Sequence, residues 1–189
     1  MKVKLGDIAQ LQFGYYAKPD EVGNAAYVQA KHFDDWGKQR YNIDTFITIN
    51  SKNEGHLLEE GDILLVGKGL RNFAWVYHKA VGPAIASSIF FVIKPDKEKA
   101  FPEFLNIIFN SPKIQSYFQT LGAGSSIPSI RKSELEALPL MIPSLKVQKK
   151  AMEISRLHHQ DMEISKQIME KKQKIYQSIT QHLIFNDHD

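Results

Sequence analysis

The chain has 189 residues, a formal net charge of +3, 43% hydrophobic and 11% aromatic residues, and no cysteine. That composition belongs to a folded protein and excludes disulfides, thiolate metal sites and a cysteine nucleophile. No segment reaches the roughly 18 uninterrupted apolar residues of a membrane span. The opening residues lack the apolar run of a secretory signal, which fits a cytoplasmic location.

In chain order, Ile43 to Ile49 alternates and is rich in β-branched and aromatic residues, so a strand is expected. Leu57-Leu58-Glu59-Glu60-Gly61-Asp62 is a turn approach leading into the buried-type strand Ile63 to Val66. Phe73 to Tyr77 alternates again, and Ala84 to Ile93 reads as one strand ended by Pro95. Two helices follow, with Pro102 and Pro112 in their first turns; Ser111 is the expected cap and Gly122 the stop of the second. Gly122 to Ser126 is a loop. Ser133-Glu134-Leu135-Glu136 matches a capping box and predicts a short helix, and Leu138 to Pro143 is extended.

All eleven glycines and all eight prolines lie at or before position 143. Ser144 can cap a helix start, and from Leu145 to about Phe185 no breaker intervenes. Such a helix is roughly 60 Å long, more than a small domain can cover. Ile154, Leu157, Ile164, Ile168 and Ile175 follow the three–four spacing of a coiled-coil seam. Met162, Met169, Tyr176 and Leu183 flank it, and Asp161 and Lys171 interrupt it. The expected organisation is an α+β protein: a β-rich domain over 1–143, then one long dimerisation helix over 144–189.

Charge is unevenly spread. No acid occurs between Asp62 and Asp96, or between Glu103 and Glu134. Lys68, Arg71, Arg131 and Lys132 fall in those windows. They are candidate phosphate contacts, against the alternative that the windows are apolar core elements with ordinary surface charge. Arg71, Phe73, Trp75 and Tyr77 share one face of a strand, which either stacks on bases or packs the core. Lys31, Lys38 and Arg40, with His32 and Tyr41, form a second candidate reading loop. Asp34 and Asp35 lie within it, and an acid there suits cytosine N4 better than phosphate.

The sequence singles out no catalytic set, Ser/His/Asp included. There is no Asn/Asp-Pro-Pro-aromatic tetrapeptide. Gly67-Lys68-Gly69 lacks the spacing and the Ser/Thr of a phosphate-binding loop. His158 and His159 are adjacent on a helix and point to different faces, so they do not chelate one metal.

Three segments carry a family likeness. Leu5-Gly6-Asp7-Ile8-Ala9 opens the chain, and Gly61-Asp62-Ile63-Leu64 precedes Gly67-Lys68-Gly69. Leu138-Pro139-Leu140-Met141-Ile142-Pro143 then leads through Gln148 into the long helix. In this order they resemble the target-recognition domain and following helix of the specificity subunit of type I restriction–modification systems, over essentially the whole chain. Members usually carry two recognition domains and two long helices; this chain has one of each. Val147 stands where members often have an acid.

The resemblance implies a non-catalytic subunit that reads double-stranded DNA at a bipartite site. It implies a homodimer through antiparallel helices, docked to modification subunits and a restriction subunit. S-adenosylmethionine, ATP and magnesium would be held by those partners, with no cofactor on this chain. The competing readings are a protein-interaction module that binds no DNA, and the recognition part of a fused restriction–methylation enzyme.

Overall fold

The computed structural model describes residues 1–34, 37–40, 42–69, 71–121 and 128–186. Asp35, Tyr41 and the Gly122 to Ser126 loop, with the expected Gly122 stop, lie outside them. The chain divides into two compact units, Met1–Lys149 and Lys150–Asp189.

The first unit holds strands β1 (Lys2–Lys4), β2 (Ala9–Phe13), β3 (Ala25–Val28), β4 (Phe46–Ile47), β5 (Ile63–Val66), β6 (Ala74–Val76), β7 (Ala84–Ala86), β8 (Phe90–Pro95) and β9 (Pro139–Met141). Helices α1 (Pro102–Phe109), α2 (Pro112–Leu121) and α3 (Lys132–Glu136) lie between β8 and β9, and α4 (Leu145–Asn186) follows. A four-stranded antiparallel sheet has the order β2-β8-β5-β6; a mixed sheet has β4-β3-β7, with β3 and β7 parallel; β1 and β9 make a two-stranded ribbon.

Two-residue periodicity builds the core. Ala26 and Val28 of β3 and Ala84 and Ala86 of β7 join Leu64, Val66, Phe90 and Val92 from the large sheet in one buried cluster. The alternate residues Ala25, Tyr27 and Ile85 pack with Ile47 on the opposite face of the small sheet. Phe33, Phe73 and Tyr77 complete the larger cluster. Phe33 meets Phe73 at 5.3 Å and Trp75 at 5.1 Å between ring centroids. Phe73 and Tyr77 are therefore core, and Trp75 packs partly buried against the same cluster. The edge of β6 is covered by Asn110, whose Oδ1 accepts from the Ala74 N–H and whose Nδ2 donates to the Ala74 C=O, both at 2.9 Å.

Several expected elements are redrawn. The single strand over Ala84 to Ile93 is two, broken at Ser87 to Ile89. Its halves belong to different sheets, and the Phe90 N–H donates to the Ser87 C=O across the turn. The strand over Ile43 to Ile49 shrinks to Phe46–Ile47. Ser133 is not the cap of α3: the helix begins at Lys132, and the Glu134 carboxylate accepts from the Arg131 N–H at 2.9 Å. The Ser111 hydroxyl donates to the Ile108 C=O at the end of α1.

In the second unit, α4 continues without a break. Its seam residues Ile154, Leu157, Ile164, Ile168 and Ile175 are 48–69% exposed. Among the described residues no helix is long and apolar enough to cross a membrane.

Candidate nucleic-acid interface

A basic concavity is built at the end of β5. Gly67 follows the buried Ile63–Val66 run, donates its N–H to the Ile89 C=O and accepts from the Ile130 N–H, both at 2.9 Å. A Cβ at Gly67 would run into the Phe91 ring, so only glycine lets the chain pass there. Gly69, at φ +110°, donates to the Pro128 C=O at 2.8 Å, and Lys68 pairs with Ser129 as an isolated bridge. These bonds lay residues 128–130 alongside 67–69 and bring Lys68 together with Arg131 and Lys132, more than sixty positions later.

The groove between them is about 350 Å³. Ile89, Phe90, Phe91 and Ile130 form its apolar lining, Ser88 and Ser129 add hydroxyls, and among the described residues no carboxylate lines it. Phe13 also lines it, 49% exposed, with its ring 5.0 Å from that of Phe91. Lys132 reaches Glu136 at 3.6 Å on its own helix. Sequence reasoning missed Phe13 and Ser129; β2 reveals Phe13 only through its register, which sets it opposite Phe91.

The other predicted cations lie elsewhere. Arg71 is exposed on the β5–β6 loop but does not line the groove. Lys31, Lys38 and Arg40 sit on a tight excursion closed by the Phe33–Gln39 bridge and by Arg40 N–H donating to the His32 C=O at 2.9 Å. Acids hold this excursion together. Asp34 Oδ1 accepts from the Lys38 N–H at 2.8 Å, and its Oδ2 lies 3.8 Å from Arg40 Nε. Lys31 Nζ is 3.1 Å from Asp44 Oδ1. Asp34 and Asp44 thus offset much of the positive charge that the sequence offered to phosphate.

His32 anchors the same segment from below the surface, only 2% exposed. Its Nδ1 accepts from the Gln29 N–H at 3.1 Å, so the ring proton sits on Nε2, 3.1 Å from Asp44 Oδ1. Burial pushes the His32 pKa down, opposed by the bond to Asp44. Hydrogen bonds from Lys31 and then His32 hold Asp44 below its ordinary range.

The remaining motif residues are structural. Gly61, at φ +89°, makes the turn beside Pro102. Buried Asp62 accepts from the Glu59 N–H at 2.9 Å, and burial raises its pKa. Gln148 is fully buried and spends its amide on three backbone groups: Oε1 accepts from Phe101 N–H, and Nε2 donates to the Lys99 and Pro143 carbonyls. Among the described residues, no cluster of three His, Cys, Asp or Glu side chains is placed to hold a metal.

The family profile of the type I restriction modification DNA specificity domain matches residues 1–175. The chain belongs to this family. No curated protein matches it significantly. Among solved structures, the HsdS subunit from Thermoanaerobacter tengcongensis superposes at TM-score 0.64 with 14% identity, over 89% of this chain and 39% of that one. The type I restriction-modification S subunit from M. genitalium gives 0.62 at 15% identity, over 100% and 46%. A chain from a structural study of complex assembly and conformational transition of the type I R-M system gives 0.65 at 14%, over 97% and 44%. At these identities the likeness is one of fold.

This specificity-domain chain thus spans less than half the length of each of these three solved chains. The segments that carry the resemblance map onto the frame: Gly61-Asp62 on a turn, Gly67 under the groove, Gln148 at the helix root.

Proposed function

We propose that this specificity-domain chain reads double-stranded DNA, with Lys68, Arg131 and Lys132 gripping phosphates around the groove. Base-edge contacts would come from the loops beside it. The carboxylate-free basic groove in a member of the specificity-domain family carries the reading. Cations position such a protein on the backbone, and side chains at the groove edge supply sequence discrimination. The Lys31–Arg40 excursion, with its own carboxylates, is better suited to base contact than to phosphate.

On this reading the chain directs chemistry that partners perform. Modification subunits would bring S-adenosylmethionine, and a restriction subunit would bring ATP and magnesium. Through the exposed apolar seam of α4, two copies would pair antiparallel and read a bipartite site with inverted-repeat symmetry.

Mobility shift with random-sequence duplexes, at several salt concentrations and with modification subunits added, tests this directly. Binding that weakens steeply with salt, and that selects a two-part symmetric site, is expected. No shift at low salt with those subunits present overturns the reading.

A further inference from the structure

The seam of α4 has two interleaved rows. One runs Val147, Ile154, Asp161, Ile168, Ile175, His182; the other runs Lys150, Leu157, Ile164, Lys171, Ser178, Phe185. They alternate at three–four spacing, as the two core positions of a heptad do. The apolar members stand exposed, from 48% at Ile168 to 75% at Phe185. Three members are charged, Lys150, Asp161 and Lys171, and Asp161 is the one acid in either row.

A parallel, in-register pair matches each row with itself, setting Asp161 against Asp161 and Lys171 against Lys171. An antiparallel pair matches one row with the other. We infer that α4 pairs antiparallel with a second copy of this chain in the register that sets Asp161 opposite the partner's Lys171. This rests on the self-pairing proposed above and specifies its geometry.

The remaining layers follow from that one match. Ile164 meets the partner's Ile168, and Leu157 meets the partner's Ile175. Ile154 meets the partner's Ser178, and Lys150 the partner's His182 in a polar layer. Val147 meets the partner's Phe185. Two-fold symmetry repeats every layer, with the axis midway between Ile164 and Ile168.

Sliding by one heptad spoils the match in either direction. One slide sets Asp161 against the partner's Ile164 and Lys171 against the partner's Ile154. The other sets Lys171 against the partner's Ile168. Both bury a charge against an aliphatic side chain with no countercharge, which is costly. The Asp161–Lys171 register also gives a place to two otherwise unexplained exposed residues at opposite ends of the helix, Val147 at 49% and Phe185 at 75%. An acid at 147 would face that phenylalanine, so valine there suits self-pairing.

The chain has no cysteine, so each introduced thiol is unique. Asp161→Cys and Lys171→Cys copies, mixed and mildly oxidised, should give a disulfide-linked dimer that neither variant gives alone. Asp161→Lys should weaken dimerisation about tenfold, since both symmetric pairs become repulsive, and Asp161→Lys/Lys171→Asp should restore it.

Sedimentation of the unmodified chain separates the two levels of failure. A monomer at micromolar concentration removes self-pairing itself. A dimer in which Asp161→Cys copies cross-link to one another, or which the double charge swap fails to rescue, keeps self-pairing and overturns this register.

Discussion

The Gln148 side chain closes on Phe101: its Oε1 accepts the Phe101 N–H at 3.0 Å, from 47 positions further along the chain. Phe101 is the residue before α1, and Gln148 lies in the first turn of α4. The same amide donates to Lys99 at 2.9 Å and Pro143 at 3.0 Å, so its bonding capacity ties together the approach to one helix and the root of another. Lys149 adds to the junction, with Nζ 5.6 Å from the centre of the Phe101 ring.

Replacing this amide should be among the most damaging single changes in the chain. Gln148→Ala leaves a buried N–H and two carbonyls without partners, at about 3 kcal/mol. Gln148→Glu sets carboxylate oxygens against the Lys99 and Pro143 carbonyls, so the folded chain would favour the protonated acid. That raised folded pKa makes the variant lose stability as pH rises above the ordinary carboxylate range. Urea unfolding at pH 5 and pH 8 checks both. A Gln148→Glu variant as stable as the parent at pH 8 would contradict the geometry.

The His32 pocket predicts an acid-sensitive domain. Nδ1 is committed as an acceptor to Gln29, so protonating it sets two N–H groups against each other. Burial lowers the folded pKa below the ordinary 6.5, so the unfolded chain takes up the proton first. Stability from neutral His32 is therefore complete above about pH 6.5 and is lost as pH falls through the folded value. Asp44 is also held low, so its contribution persists until lower pH. Melting temperature should drop between pH 7.5 and pH 5, and His32→Gln should flatten that slope even if it lowers stability throughout.

The long helix was the most legible element, because from position 144 no glycine or proline interrupts it and the three–four pattern repeats. The Ile63–Val66 strand and the starts of α1 and α2 were legible for similar local reasons. The short strands β1, β2 and β3 were not. Their patterns run for only three to five residues, and pairing partners as remote as Met141 for Lys2 define them. The break in Ala84 to Ile93 carries no glycine or proline and exists because two sheets compete for the segment. The candidate interface was half legible. Lys68, Arg131 and Lys132 stood out as cations in acid-free windows, but their meeting depends on backbone bonds between residues 67–69 and 128–130. Neutralisation of Lys31 by Asp44 likewise depends on a fold-back that spacing does not reveal.

Gly67 should tolerate no side chain. Gly67→Ala drives a Cβ into the Phe91 ring, which is buried and held against Phe13. The strand must shift or the ring must leave its position, at about 1–3 kcal/mol. Because Gly67 also accepts from the Ile130 N–H, that shift should separate Lys68 from Arg131. Calorimetry should show a lower melting temperature, and DNA affinity should fall at temperatures where the variant is still folded. Gly55 is the control, since a Cβ there would meet nothing within 4 Å: Gly55→Ala should leave both unchanged.

The two basic clusters should behave differently on DNA. Lys68→Ala and Arg131→Ala each remove a cation from a groove without a carboxylate, so each should weaken binding across all sequences and reduce the salt slope by about one. Lys31→Ala removes a cation already facing Asp44 at 3.1 Å, and should change the slope by much less. If the Lys31 excursion reads bases, its substitution should instead alter preference among duplexes at fixed salt. Titrations of the three variants at several salt concentrations, against a matched site and a random duplex, separate these effects. A Lys31→Ala slope change as large as that of Lys68→Ala would move the phosphate contacts away from the groove, because a lysine already paired with a carboxylate would then be releasing as many counterions as one in a carboxylate-free groove.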